Sequence, residues 1–357
     1  MVRGQQQGRS KMTLRLSIFR RLVPAAIAAA AILGPTSQDV QAQTIVKFAT
    51  VDCEGDLIGC PYYAYTEVFN QVLKAGTGGR YELQTFPNSQ LGDLGSLTEQ
   101  TARGIIQMTG GQNAGQLSEY YPSIQIVEMP YSFSSLETAR KVMWGPFGKE
   151  LADEVAKASG IRVISWLPSA FRNFSNSVRP IKTPEDMKGL KIRVQPVPIH
   201  LKMVDALGAS GTPIAWGELY NALQTGVVDG QENAPYVVLL GKLEEVQKYY
   251  TLDGHLVNMP LVFINEEFYQ GLSEEDRAVF DEAGSAASFA MLGIITAKET
   301  QDLKKIADAG IEIYKPTPAE FQQFVDATRD SVRKVLEENV DAVWFEKLEK
   351  SISEAAK

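Results

Sequence analysis

Two histidines, His200 and His255, are all that a chain of 357 residues offers for imidazole chemistry. A Ser-His-Asp triad or a histidine-rich metal site would have to be built on one of them. His200 falls at a strand-to-helix junction and His255 in a polar loop, positions that suit surface or helix-capping roles. No G-x-G-x-x-G follows a strand pattern, and no G-x-x-x-x-G-K-[ST], G-x-S-x-G or H-E-x-x-H occurs. The two cysteines, Cys53 and Cys60, are too few for a structural zinc site without carboxylates. A carboxylate pair for glycoside chemistry stays open, because no spacing among the many acids singles one out. The expectation is therefore a protein that is not an enzyme and carries neither cofactor nor metal.

The first 42 residues differ from the rest. They hold Arg3, Arg9, Lys11, Arg15, Arg20 and Arg21 against one acid, Asp39. An apolar stretch, LVPAAIAAAAIL, follows from Leu22 to Leu33, and a polar segment ends in Val40-Gln41-Ala42. Basic, apolar and small-residue regions in that order make residues 1–42 a secretory signal peptide. The apolar core is too short to span a bilayer as a helix. Beyond it no window approaches 18 apolar residues, so no direct membrane insertion is expected after cleavage. Export to an oxidising compartment makes a Cys53–Cys60 disulfide reasonable, with two unpaired thiols as the alternative. After residue 42 the chain carries 29 basic and 42 acidic residues, a net charge of −13. Such a chain repels nucleic acid and anionic lipid, and any anionic ligand must be held by a few local arginines.

The elements that would position those groups alternate. Thr44–Val51 reads as a strand, Tyr62–Ala75 as a helix after Pro61, Tyr81–Phe86 as a strand, Ser96–Arg103 as a short helix and Ile105–Thr109 as a third strand. This β-α-β-α-β rhythm implies a parallel sheet, with ligands at the carboxyl ends of its strands. The loops 52–59 and 110–114 lie at that edge. A second α/β unit runs through strands 161–167 and 191–194 and helices 199–207 and 217–225. Long amphipathic helices follow over 274–309 and 318–357.

Residues 172–236 are more specific. RPIKTPEDMKGLKIRV (179–194) and ALGASGTPIAWGELYNALQTGVVDGQEN (206–233) follow LGDLGSLTEQ (91–100) in order. This pattern strongly resembles the DctP-type solute-binding subunits of tripartite ATP-independent periplasmic (TRAP) transporters, and the resemblance runs along essentially the whole chain past residue 42. It implies an α/β, two-lobed periplasmic binding protein, type II-like, with an interlobe ligand cleft and long C-terminal helices. The expected division is 43–166 plus about 255–293 as lobe I, 167–254 plus about 294–335 as lobe II, and 336–357 as a C-terminal helix.

The resemblance also assigns residues. Arg193, in KIRV, matches the arginine that pairs with the ligand carboxylate, a task suited to the planar guanidinium fork. Arg172 matches a second basic position near that carboxylate, or a loop arginine holding the lobes together. Asn233 matches an asparagine whose amide contacts the carboxylate. This chain reads Asn233-Ala-Pro235 where the family more often has proline directly after asparagine, which opens the question of the role of Tyr236. Trp216 lines the cleft or packs in the core, Phe174 stacks on ligand or packs, and Glu218 is an internal structural carboxylate. The far end of the ligand faces Asp52, Glu54, Asp56, Gln90, Gln112 and Asn113. The segment Glu54-Gly55-Asp56 resembles a loop of ectoine-binding members. The implied partners are a small organic acid and the small and large membrane subunits of a TRAP transporter. A sugar acid, a uronate or aldonate, leads; an ectoine-type zwitterion comes second and a C4-dicarboxylate third. A periplasmic sensory receptor or a sugar-acid lyase are the non-transport alternatives.

Overall fold

The computed structural model describes residues 43–357, so the signal-peptide reading of 1–42 lies outside the described residues. The chain opens with β1 (Thr44–Thr50), α1 (Pro61–Gly76), β2 (Tyr81–Phe86), α2 (Leu94–Ala102) and β3 (Met108–Asn113). Then come α3 (Leu136–Met143), α4 (Pro146–Ser159) and β4 (Ile161–Trp166). α1 starts with Pro61 in its first turn and buries Tyr62, Tyr65, Phe69 and Leu73, spaced to share one face. Each such side chain contributes about 2 kcal/mol by leaving water. β1 pairs in parallel with both β2 and β3.

The second unit contains β5 (Ala170–Asn176), β6 (Lys191–Val194), α5 (Pro198–Ala206), β7 (Ser210–Pro213), α6 (Leu219–Gln224), β8 (Gly230–Asn233), α7 (Pro235–Leu240) and β9 (Tyr249–Asn258). The chain then returns through β10 (Pro260–Asn265), α8 (Glu266–Gly271) and α9 (Glu274–Asp308), and ends with β11 (Glu312–Tyr314), α10 (Pro318–Glu337) and α11 (Ala342–Ala355). Two sheets result. One has the order β2-β1-β3-β10-β4, the other β11-β9-β5-β8-β6-β7. This is the two-lobed α/β architecture of a periplasmic binding protein.

Several boundaries differ from expectation. The third strand is Met108–Asn113, so the expected loop residues Gly110, Gly111 and Gln112 lie in the sheet. Glycine is needed at 110 because a Cβ there would stand 2.5 Å from the Tyr62 ring. The helix expected over 318–357 is two helices. Val340 is buried between them, α10 packs on α5, and α11 turns back onto α3 and α4. A lobe boundary at 254/255 cuts through β9, which stays paired with β5 as far as Asn258↔Ala170. The first sheet is re-entered only at Pro260. A boundary at 293/294 falls inside α9, an unbroken helix of 35 residues. α9 is long and apolar enough to meet the length and composition of a membrane span, although it contains no run of 18 apolar residues. Its most apolar 18 residues have a mean hydropathy of 1.3. Much of that surface packs on α1 and β4, and Gly284 lets α9 cross β4 closely, since a Cβ there would stand 2.5 Å from Ile164.

Candidate functional site

The carboxyl ends of β1 and β3 face the second sheet across a small cavity of about 50 Å³. Asp52, Asn113, Arg172, Trp216, Asn233 and Tyr236 all line it. A hydrogen bond from Asn113 Nδ2 to Gln195 Oε1 (2.9 Å) joins β3 to the segment after β6, so the cleft is closed. The one-residue difference at Asn233-Ala-Pro235 is absorbed by Ala234. It caps α7 in extended conformation, Pro235 takes the first helical position, and Tyr236 turns its ring into the cleft.

Arg172 on β5 is buried and heavily committed. Its Nε and Nη2 grip both carboxylate oxygens of Glu232 (2.5 and 2.7 Å), Nη2 also reaches Glu232 O, and Nη1 donates to Asn258 Oδ1 (2.6 Å). Of five N–H donors, one remains for a ligand. Glu232 also accepts from His255 Nε2 (3.2 Å), and His255 Nδ1 bonds Asp253 Oδ2 (2.8 Å). Burial works against the charge on each group, but the partners prevail. Arg172 and His255 hold the Glu232 carboxyl well below the usual range, and Asp253 and Glu232 push His255 up to about 9. With His255 protonated, this cluster has two cations and two anions.

Arg193 is the exception. It is 1% exposed, its Nε donates to Ile214 O (2.8 Å), and its Nη1 is buried without any hydrogen-bond partner. Burial lowers its pKa to about 10; the Glu232 charge offsets this in part and the Arg172 charge adds to it. Among the described residues no carboxylate lies within ion-pair distance of it. It sits beside the cleft rather than among the residues lining the cavity. An uncompensated buried cation costs several kcal/mol, which an anion entering beside it would relieve.

Asn233 Nδ2 donates to Gln231 Oε1 (2.6 Å), which leaves its Oδ1 and second N–H free. Tyr236 Oη accepts from Asn258 Nδ2 (2.8 Å) and lies 3.3 Å from Ser169 Oγ; burial raises its pKa to about 12. Asp52 is half-buried, and burial pushes its carboxyl up to about 7.

Other expectations part from the structure. The Phe174 ring is fully buried and stacks on His255 (centroids 4.3 Å apart), so it lies behind the arginine cluster rather than on the cleft. Glu54 and Gln90 are exposed and outside the cavity lining, because the loop after β1 turns outward past Asp52. Glu218 is exposed, not internal. Gln112 is buried in β3 and donates to Leu94 O. Both histidines are buried, against the expected surface or capping roles. His255 lies in β9 within the charged cluster, and His200 on α5 stands 3.1 Å from Glu128. Cys53 and Cys60 are joined by a disulfide. Sequence reasoning missed Tyr62, Gln195, Glu232 and Asn258. Glu232 adjoins Asn233 and Gln195 lies two residues after Arg193, so neighbourhood was a signal; Tyr62 and Asn258 had none.

A larger cavity, about 430 Å³, lies elsewhere between α4, β4 and α9. Its charged groups, Arg162, Asp153, Lys149 and Asp281, are already engaged with one another, with Glu266 or with the Tyr269 hydroxyl. The interlobe cleft, with its uncompensated guanidinium, is the better ligand site despite its size.

A closed cleft between two α/β lobes, with a buried cation beside it, defines a solute-binding protein. The family model of bacterial extracellular solute-binding protein, family 7 (DctP), matches residues 59–339. A solute-binding protein of Verminephrobacter eiseniae is 34% identical over 241 residues, 67% of this chain and 71% of the relative. The 2,3-diketo-L-gulonate-binding periplasmic protein YiaO of Escherichia coli (strain K12) is 30% identical over 274 residues, 76% of this chain and 82% of its own. The crystal structure of a TRAP periplasmic solute-binding protein from Anaerococcus prevotii, with bound α/β-D-glucuronate, superposes with a TM-score of 0.79 at 30% identity, covering 87% of this chain and 99% of that one. This chain belongs to the DctP family of solute-binding proteins, which are binding subunits of transporters and not enzymes.

Proposed function

We propose that this protein is the periplasmic receptor of a TRAP transporter, that its ligand is a small organic acid, foremost a sugar acid such as a uronate or aldonate, and that it delivers this ligand to the small and large membrane subunits. The observation that carries the reading is Arg193, a buried guanidinium with an unpartnered Nη1 and no carboxylate in contact. A ligand carboxylate is the group that completes it, with the remaining Arg172 N–H and the Asn233 amide as further donors. The sugar-acid preference rests on relatives that bind diketogulonate and glucuronate.

The closed cavity is far below the roughly 300–1,000 Å³ of ordinary ligand sites. Entry therefore requires the lobes to part and the Asn113–Gln195 bond to break. Closure over a bound acid lowers the local dielectric around the ion pair and strengthens it. The closed receptor is then the form favoured by ligand, which the membrane subunits can distinguish from the open one.

A thermal-shift screen of the purified protein against sugar acids, zwitterions, amino acids and dicarboxylates tests the reading. A ligand at 100 times its dissociation constant stabilises the fold by about 2.7 kcal/mol. A sugar-acid hit supports the proposal; stabilisation by neutral solutes alone contradicts it.

A further inference from the structure

Asp52 faces the same cavity as Arg172 and Asn233, but from the other sheet. Its backbone is tightly held. Its N–H donates to Thr50 Oγ1 (3.2 Å), its carbonyl accepts from Asn88 N (2.8 Å), and the next residue is the bridged Cys53. Its carboxylate has nothing comparable: among the described residues no donor bonds it and no cation lies within ion-pair distance. The two hydroxyls nearest in the cleft are already engaged, Tyr62 Oη with Leu261 O (3.2 Å) and Tyr236 Oη with Asn258 and Ser169. Burial raises its pKa.

We infer that Asp52 sets the specificity of the site: it requires a hydrogen-bond donor on the end of the ligand opposite the carboxylate and rejects dicarboxylates. The inference rests on the proposed acid-receptor function. A half-buried acceptor with no protein donor gains from a ligand that brings one, and it repels a second carboxylate placed against it. Glu54 and Asp56, the neighbouring acids, are exposed and do not compete for this role. A hydroxyl-bearing acid and an ammonium-bearing acid share the required chemistry.

The test is titration calorimetry at pH 8, where Asp52 is ionised, on wild type, Asp52→Asn and Asp52→Ser, with D-glucuronate, succinate and ectoine as probes. Unliganded melting temperatures check that each variant folds. The wild type should prefer its better donor-bearing probe over succinate by at least tenfold. Both substitutions should shrink that ratio at least tenfold, with succinate gaining affinity. Preference for ectoine identifies the donor as a cation, and preference for glucuronate identifies it as hydroxyl; either supports the inference. An unchanged ratio in both variants overturns it while leaving the acid-receptor reading intact. Binding of none of the three acids by the wild type overturns both.

Discussion

Arg172 and Glu232 form a bidentate ion pair inside the second lobe, and that pair leaves Arg193 as the uncompensated cation beside the cleft. Glu232 sits on β8 directly opposite Phe174, between the arginine and His255. Removing its charge strands the buried Arg172 and leaves His255 with Asp253 alone. Glu232→Gln should therefore destabilise the fold by about 3–5 kcal/mol, whereas Arg172→Met combined with Glu232→Leu should cost less than Glu232→Gln alone. Urea denaturation followed by circular dichroism measures both. A double variant less stable than the single would contradict this assignment.

Stability should fall as pH rises from 4 to 9, in two overlapping steps. Folded Asp52 keeps its proton to about 7, while an unfolded aspartate releases it near 3.8, so the folded state binds more protons between these values. Folded His255 holds its proton to about 9 against 6.5 unfolded. Its contribution, on the order of 3 kcal/mol, is fully present below 6.5 and lost as pH rises through 9. Thermal melts from pH 4 to 9.5 check this, and His255→Gln should flatten the limb above 6.5. A wild-type profile that is level from 6.5 to 9 would refute it.

The Asn113–Gln195 bond closes the cleft without ligand. Asn113→Ala should lower ligand affinity by roughly 1 kcal/mol, about fivefold, mostly through faster release. Stopped-flow fluorescence separates the two rates; an unchanged release rate would mean that this bond does not hold the closed form.

The Cys53–Cys60 bridge closes a short loop, with partners seven positions apart. Chain entropy gives it about 2 kcal/mol. Cys53→Ser with Cys60→Ser should lower the melting temperature by several degrees and weaken ligand binding, because Asp52 loses its anchored neighbour. A melting temperature unchanged by the pair of substitutions would show that the hydrogen bonds of Asp52 suffice to hold the loop.

Much of this was legible in the sequence, and the limits have physical causes. The β-α-β-α-β rhythm of 44–113 marks a parallel sheet, and the 179–194 and 206–233 segments carry the family resemblance and include Arg193 and Asn233, with Arg172 just ahead of them. The histidines misled because burial of His255 depends on three partners, Asp253, Glu232 and Phe174, which come from two different strands besides its own neighbourhood. Phe174 misled for the same reason: period-2 alternation places it on a face, but only the pairing with β8 and β9 decides what that face meets. Residues brought in by long-range pairing, such as Asn258 and Tyr62, leave no local pattern. The break at 338–341 was hidden because it contains neither proline nor glycine and is set by packing of Val340.

The most direct test is titration of Arg193→Ala and Arg193→Lys with the best acid found for the wild type. The account predicts a loss of at least a hundredfold for alanine, with lysine recovering only part, since it supplies charge without the fork. It also predicts that unliganded Arg193→Ala is no less stable than wild type, because the substitution removes an uncompensated buried cation. Binding within threefold of wild type in Arg193→Ala would show that the ligand is held elsewhere and would contradict the account.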